Sequence, residues 1–138
     1  MKKASSVIAI CLAMSSGVAV RAEQPPSETR PSPSFATFQR CRAHIAAHFR
    51  RLKSLEDVAE ECKIDPAYLC RLFRRFDRQS PYRFLMRLKM NWAAEQLRNP
   101  AMLVRQIAEQ IGFHDPFHFS HAFKNVFGLS PDAFRRLR

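Results

Sequence analysis

Between Arg71 and Lys89 the chain places Arg71, Arg74, Arg75, Arg78, Arg83, Arg87 and Lys89, interrupted by one acid, Asp77. Side chains of this type at this density hold anions, and a guanidinium fork fits phosphate oxygens or the O6/N7 edge of guanine. The whole sequence leans the same way, with 23 Lys and Arg against 12 Asp and Glu and a formal charge of +11. Such a balance favours a polyanionic partner. A basic run alone is commonly a solvated face, so the element that carries it decides its meaning.

Other candidate chemistries lack their residues. His44 and His48 lie one helical turn apart, but residue 45 is Ile, so the HExxH zinc-protease pattern is absent. Cys11, Cys41, Cys62 and Cys70 show no CxxC spacing and read as reduced, partly buried thiols. His114, His118 and His121 fit a helix cap, a half-buried ring and an outward side chain better than metal ligands. No Ser-His-Asp order, glycine-rich phosphate loop or carboxylate pair is present. The sequence therefore predicts neither an enzyme nor a cofactor or metal site.

The elements that must position the arginines are written twice. Val58-Ala59-Glu60 recurs as Ile107-Ala108-Glu109, Leu69 as Phe119, Phe73-Arg74 as Phe123-Lys124, Ser80-Pro81 as Ser130-Pro131, and Phe84 as Phe134. In each copy a short helix is followed by a tight turn and a second helix. The turns are Cys62-Lys63-Ile64 and Ile111-Gly112-Phe113; Asp65 caps the first copy's second helix with Pro66 at its start, and Gly112 tolerates positive φ in the second copy. This is helix-turn-helix, twice. A helix over Phe38–Phe49 and a long helix over 82–97, ended by Asn99-Pro100, complete an all-α reading.

Ile107-Ala108, Gly112-Phe113, Phe119-Ser120-His121-Ala122-Phe123-Lys124, Phe127-Gly128-Leu129-Ser130-Pro131 and Phe134-Arg135 closely resemble the second motif of the AraC/XylS transcriptional regulators. Leu55, Val58-Ala59, Tyr68-Leu69-Cys70-Arg71-Leu72-Phe73, Ser80-Pro81 and Lys89 with Ala93 look like the first motif and its connecting helix. The resemblance covers roughly residues 38–137. It implies two homeodomain-like helix-turn-helix subdomains joined by a linker helix: a first motif at about 52–78, a linker at about 81–98 and a second motif at about 103–127, within a domain spanning 38–138. It also implies double-stranded DNA and RNA polymerase as partners. Three positions depart from the pattern: Arg78 stands where Gly is usual, Lys89 where Arg is usual, and His121 where Arg is frequent.

In a helix-turn-helix the second helix enters the major groove and its N-terminal residues meet base edges. Over Pro66–Phe76, Leu69, Leu72, Phe73 and Phe76 form an inward stripe, leaving Ala67, Cys70 and Arg71 to face bases and Arg74 and Arg75 to hold phosphates. Tyr68 also faces away from that stripe. Over Asp115–Phe127, Phe119, Ala122, Phe123 and Val126 point inward. Pro116, Phe117, Ser120 and His121 are then the base-facing candidates, with Lys124 and Asn125 on phosphates. Phe117 either meets thymine methyl groups or folds back on its neighbours.

Residues 1–22, with Lys2-Lys3, a mildly apolar run and Val20-Arg21-Ala22, read as a secretory signal or as a mis-called start. Residues 23–37, rich in Pro and Ser, read as a disordered linker. The segment before Phe38 is too short and polar for an effector domain, which leaves a short constitutive regulator and a remnant of a longer one both open. The expectation is a monomeric, sequence-specific regulator in the cytoplasm; an exported or membrane-tethered basic protein binding polyanions without sequence preference is the alternative.

Overall fold

The computed structural model describes residues 30–137. Seven helices and no strand occur among them: α1 Pro33–His48, α2 Leu55–Cys62, α3 Pro66–Phe76, α4 Pro81–Leu97, α5 Val104–Gln110, α6 Pro116–Phe127 and α7 Pro131–Arg136. The signal expected at 1–22 lies outside the described residues.

Local chemistry sets the boundaries. Ser54 accepts the Asp57 N–H at 3.1 Å while the Asp57 carboxylate accepts the Ser54 N–H at 3.1 Å, a reciprocal cap for α2. Asp65, Ser80, Asp115 and Ser130 cap α3, α4, α6 and α7, each followed by a proline whose missing N–H would have had no helical partner. The two tight turns close identically: Ile64 N–H donates to Ala59 O at 3.0 Å, and Phe113 N–H to Ala108 O at 2.9 Å. Lys63 and Gly112, at equivalent places, have φ of 57° and 87°. Arg78 and Gly128, after the two second helices, have φ of 54° and 77°. Lys63 and Arg78 thus occupy a left-handed conformation that costs an ordinary residue about 1–2 kcal/mol.

Two cores form, one per copy. Phe38, Cys41, Ile45, Leu52, Val58, Cys62, Leu69, Leu72 and Phe73 fill the first, together with Phe84 and Leu85 from the N-terminal half of α4. The C-terminal half of α4 supplies Met90, Ala93 and Leu97 to the second, with Ile107, Ile111, Phe113, Phe119 and Phe123. One helix is therefore built into both cores.

Three expectations about helix ends and core register need correction. Helix α1 starts at Pro33, so residues 33–37 are helical instead of disordered linker; the Phe35 ring packs 5.2 Å from that of Phe76, which ties the segment down. Val126 is exposed and Phe127 takes the inward place, because α7 brings Phe134 to 5.5 Å from both Phe123 and Phe127 and draws the core to that side. Asp115, not His114, caps α6, a carboxylate being the stronger acceptor for the Phe117 N–H.

Candidate nucleic-acid interface

On α3 the buried stripe of Leu69, Leu72 and Phe73 leaves Ala67, Arg71, Arg74 and Arg75 exposed, with Tyr68 and Cys70 half-buried beside them. The Arg71 guanidinium lies 5.8 Å from the Tyr68 ring centre, and that of Arg75 lies 5.1 Å from Phe76. Aromatic support of this kind limits the wandering of the long side chains while leaving their donors outward. Among the described residues none of Arg71, Arg74 and Arg75 enters an ion pair.

The acids of α2 do not all compete for these arginines. Glu61 accepts both guanidinium nitrogens Nη1 and Nη2 of Arg51 and lies 2.6 Å from His44 Nε2. Those bonds, Arg51 first and His44 second, hold its carboxyl below the usual carboxylate range. The His44 and His48 rings lie beside each other, tilted by 53°, with centres 4.6 Å apart. No group of three or more His, Cys, Asp or Glu among the described residues is placed to hold a metal ion.

On α6, Phe117, His121, Lys124 and Asn125 are exposed, and Pro116 and Ser120 are half-buried. Phe117 is 85% exposed, so its ring does not fold back on its neighbours. The ring stands in solvent at the first turn of α6. His118, expected to be half-buried, is exposed, its ring meeting Phe113 edge-on at 5.2 Å.

The basic run from Arg71 to Lys89 divides in the fold: its arginines are exposed, whereas Lys89 is only 3% exposed. Its ammonium donates to the Ile111 carbonyl at 2.8 Å and stands 6.0 Å from the Phe113 ring centre. Burial pushes the Lys89 pKa down to about 8, the Lys53 charge adding to the fall and Asp57 opposing it. The one sequence signal for this burial is its place on an apolar helix face, with Leu85 and Ala93 four residues either way. Arg135 is likewise a structural group that its local sequence does not announce; it donates to Met102 O at 2.6 Å. The Cys41 and Cys62 thiols are buried, and burial together with the adjacent Cys41 pushes the Cys62 pKa up to about 12.

A family model described as a helix-turn-helix domain matches residues 58–137, more than half the chain. The chain belongs to the AraC/XylS helix-turn-helix family. Among curated relatives, the Msm operon regulatory protein of Streptococcus mutans is 33% identical over 82 residues, 59% of this chain and 30% of its own length. The HTH-type transcriptional regulator YfiF of Bacillus subtilis is 33% identical over 115 residues, 83% of this chain and 36% of its own. The chain thus spans about a third of the curated relatives it matches. Among solved structures, the C-terminal domain of AraT, a response regulator from Geobacillus stearothermophilus, superimposes with a TM-score of 0.70 at 35% identity, over 80% of this chain and 89% of that one. The DNA-binding domain of AdpA, solved with a target DNA, shares the fold with a TM-score of 0.66 at 22% identity, over 73% of this chain and 91% of that one.

Proposed function

We propose that this chain regulates transcription by reading two successive major-groove segments with α3 and α6. The supporting observation is that both helices of the duplicated family fold bury an inner stripe while presenting outward donors that enter no ion pair among the described residues, Arg71, Arg74 and Arg75 on one and His121 and Lys124 on the other. Arg71, near the start of α3, takes a guanine edge; Phe117 meets thymine methyls; Arg74, Arg75, Lys124 and Asn125 lie on phosphates. Held on one linker helix, the pair suits a bipartite, non-palindromic site with segments about 34 Å apart, read by a monomer. The bound domain then acts on RNA polymerase by contact or exclusion. The working place of such a protein is the cytoplasm, and no helix of the described residues is long and apolar enough to cross a membrane.

Selection by the purified full-length chain from a random duplex library tests this at physiological salt. A two-part enriched motif about one helical turn apart is expected. Salt-sensitive binding without enrichment would reduce the chain to a polyanion binder and overturn the reading.

A further inference from the structure

Lys89 stands where the two halves join. Leu85, four residues before it, closes the first core, and Met90, directly after it, opens the second. Its hydrogen bond crosses from α4 to the tight turn of the second motif, at Ile111 O. The same turn abuts the first half. A Cβ placed on Gly112 would lie 3.7 Å from Lys89 Nζ, 3.8 Å from the Arg50 carbonyl oxygen and 3.8 Å from Lys53 Cγ. Arg50 in turn places its guanidinium 5.5 Å from the ring centre of Trp92 on α4. Linker helix, second turn and the segment between α1 and α2 thus meet around Gly112, and the Lys89 ammonium is the group that bonds the turn to the linker helix there.

A buried ammonium is an expensive way to fill that space. An apolar side chain of similar volume would avoid the desolvation cost, and breaking the pairing would leave a charge without its acceptor. What the charged donor supplies and an apolar residue cannot is direction, since the bond to Ile111 O is made at one orientation of the second turn relative to α4.

We infer that Lys89 fixes the angle and separation of the two recognition helices and so determines the half-site spacing that the protein accepts. It is a positioning residue, remote from bases and phosphates. The inference rests on the two-segment reading above. One extra base pair moves the second half-site about 3.4 Å along the duplex and about 35° around it. A rigid pair of helices must deform the DNA to follow that displacement, whereas a loosened joint follows it freely.

The test uses full-length wild type, Lys89→Met and Lys89→Arg on duplexes carrying the two selected half-sites, with the spacer shortened or lengthened by one and two base pairs. Wild type is expected to lose about tenfold in affinity per base-pair change, and Lys89→Met no more than about threefold across the series, with base preference inside each half-site unchanged. Lys89→Arg, which keeps a charged donor, should restore the sharp optimum. If Lys89→Met is unfolded at the assay temperature, Lys89→Gln replaces it, with a shorter neutral donor and an expected broadened or displaced optimum. A folded variant that keeps the wild-type spacing profile while merely melting lower would overturn the inference and leave Lys89 a stabilising residue. A wild type with no two-part motif would overturn the function reading itself, a result visible before any variant is made.

Discussion

Phe123→Ala separates the two cores experimentally. Phe123 is fully buried, with ring centres of Phe119, Phe127 and Phe134 at 5.9, 4.7 and 5.5 Å, so three aromatic neighbours lose a partner when it is truncated. Removing a phenyl group that buries roughly 150–200 Å² forfeits about 4–5 kcal/mol of transfer free energy at about 25 cal/mol per Å². Partial collapse of the site brings the expected loss to about 3–5 kcal/mol. A domain of this size has on the order of 5–15 kcal/mol in total, so the second half becomes marginal. The first core shares no residue with the second, and the expected damage is local. Urea unfolding followed by hydrogen exchange should show a lowered midpoint and loss of amide protection in α5, α6 and α7, with α1 to α3 largely protected. Unchanged unfolding would refute the burial argument, and equal loss of protection throughout would refute the separation of the cores.

Three further outcomes follow from the same geometry. Arg71→Ala should relax base preference at one position of the site at a cost of about 1–3 kcal/mol, whereas Arg74→Ala should weaken all duplexes alike and lower the salt slope by about one; indistinguishable effects in a binding titration across sequences and salt would refute base reading by Arg71. Lys89 has its pKa lowered in the folded state to about 8, so between that value and 10.5 the unfolded chain binds more protons and stability rises with pH. Measured against Lys89→Met, wild type should gain about 2 kcal/mol from pH 8 to pH 10, and a flat difference in denaturation midpoints would contradict the buried ammonium. Left-handed backbone predicts opposite signs at equivalent positions: Gly128→Ala, whose Cβ would meet nothing within 4 Å, should cost about 1–2 kcal/mol through φ alone, while Arg78→Gly should be neutral or stabilising by up to about 1 kcal/mol; calorimetry would detect either reversal.

Much of this architecture is legible in the sequence because it is fixed locally. Asp65-Pro66 and Ser80-Pro81 announce helix starts through bonds within three residues, Gly112 marks its turn, and the stripe of Leu69, Leu72 and Phe73 follows from helical period. The rest depends on partners far away in the chain. Phe35 is helical because Phe76 receives it, and Phe127 displaces Val126 from the core because α7 returns over that end of α6. His44 sits against Glu61, seventeen residues later, which no local pattern announces. By its neighbours in the chain Lys89 is one more member of a basic run; its place between Leu85 and Ala93 on the helix period is the one local hint of burial, and its acceptor comes from the second turn packed onto α4. At the interface itself, the outward positions are readable by exclusion from the buried stripes, and whether Phe117 folds back is not.

Under the proposed function, α3 and α6 read two major-groove segments on one face of the duplex. Guanine-N7 methylation interference on the selected duplex, with the full-length chain, tests it most directly. Two clusters of interfering positions on the same face, about ten base pairs apart, are the predicted result, and Arg71→Ala should erase a guanine from only one of them. A single cluster, or none despite tight binding, would contradict the account.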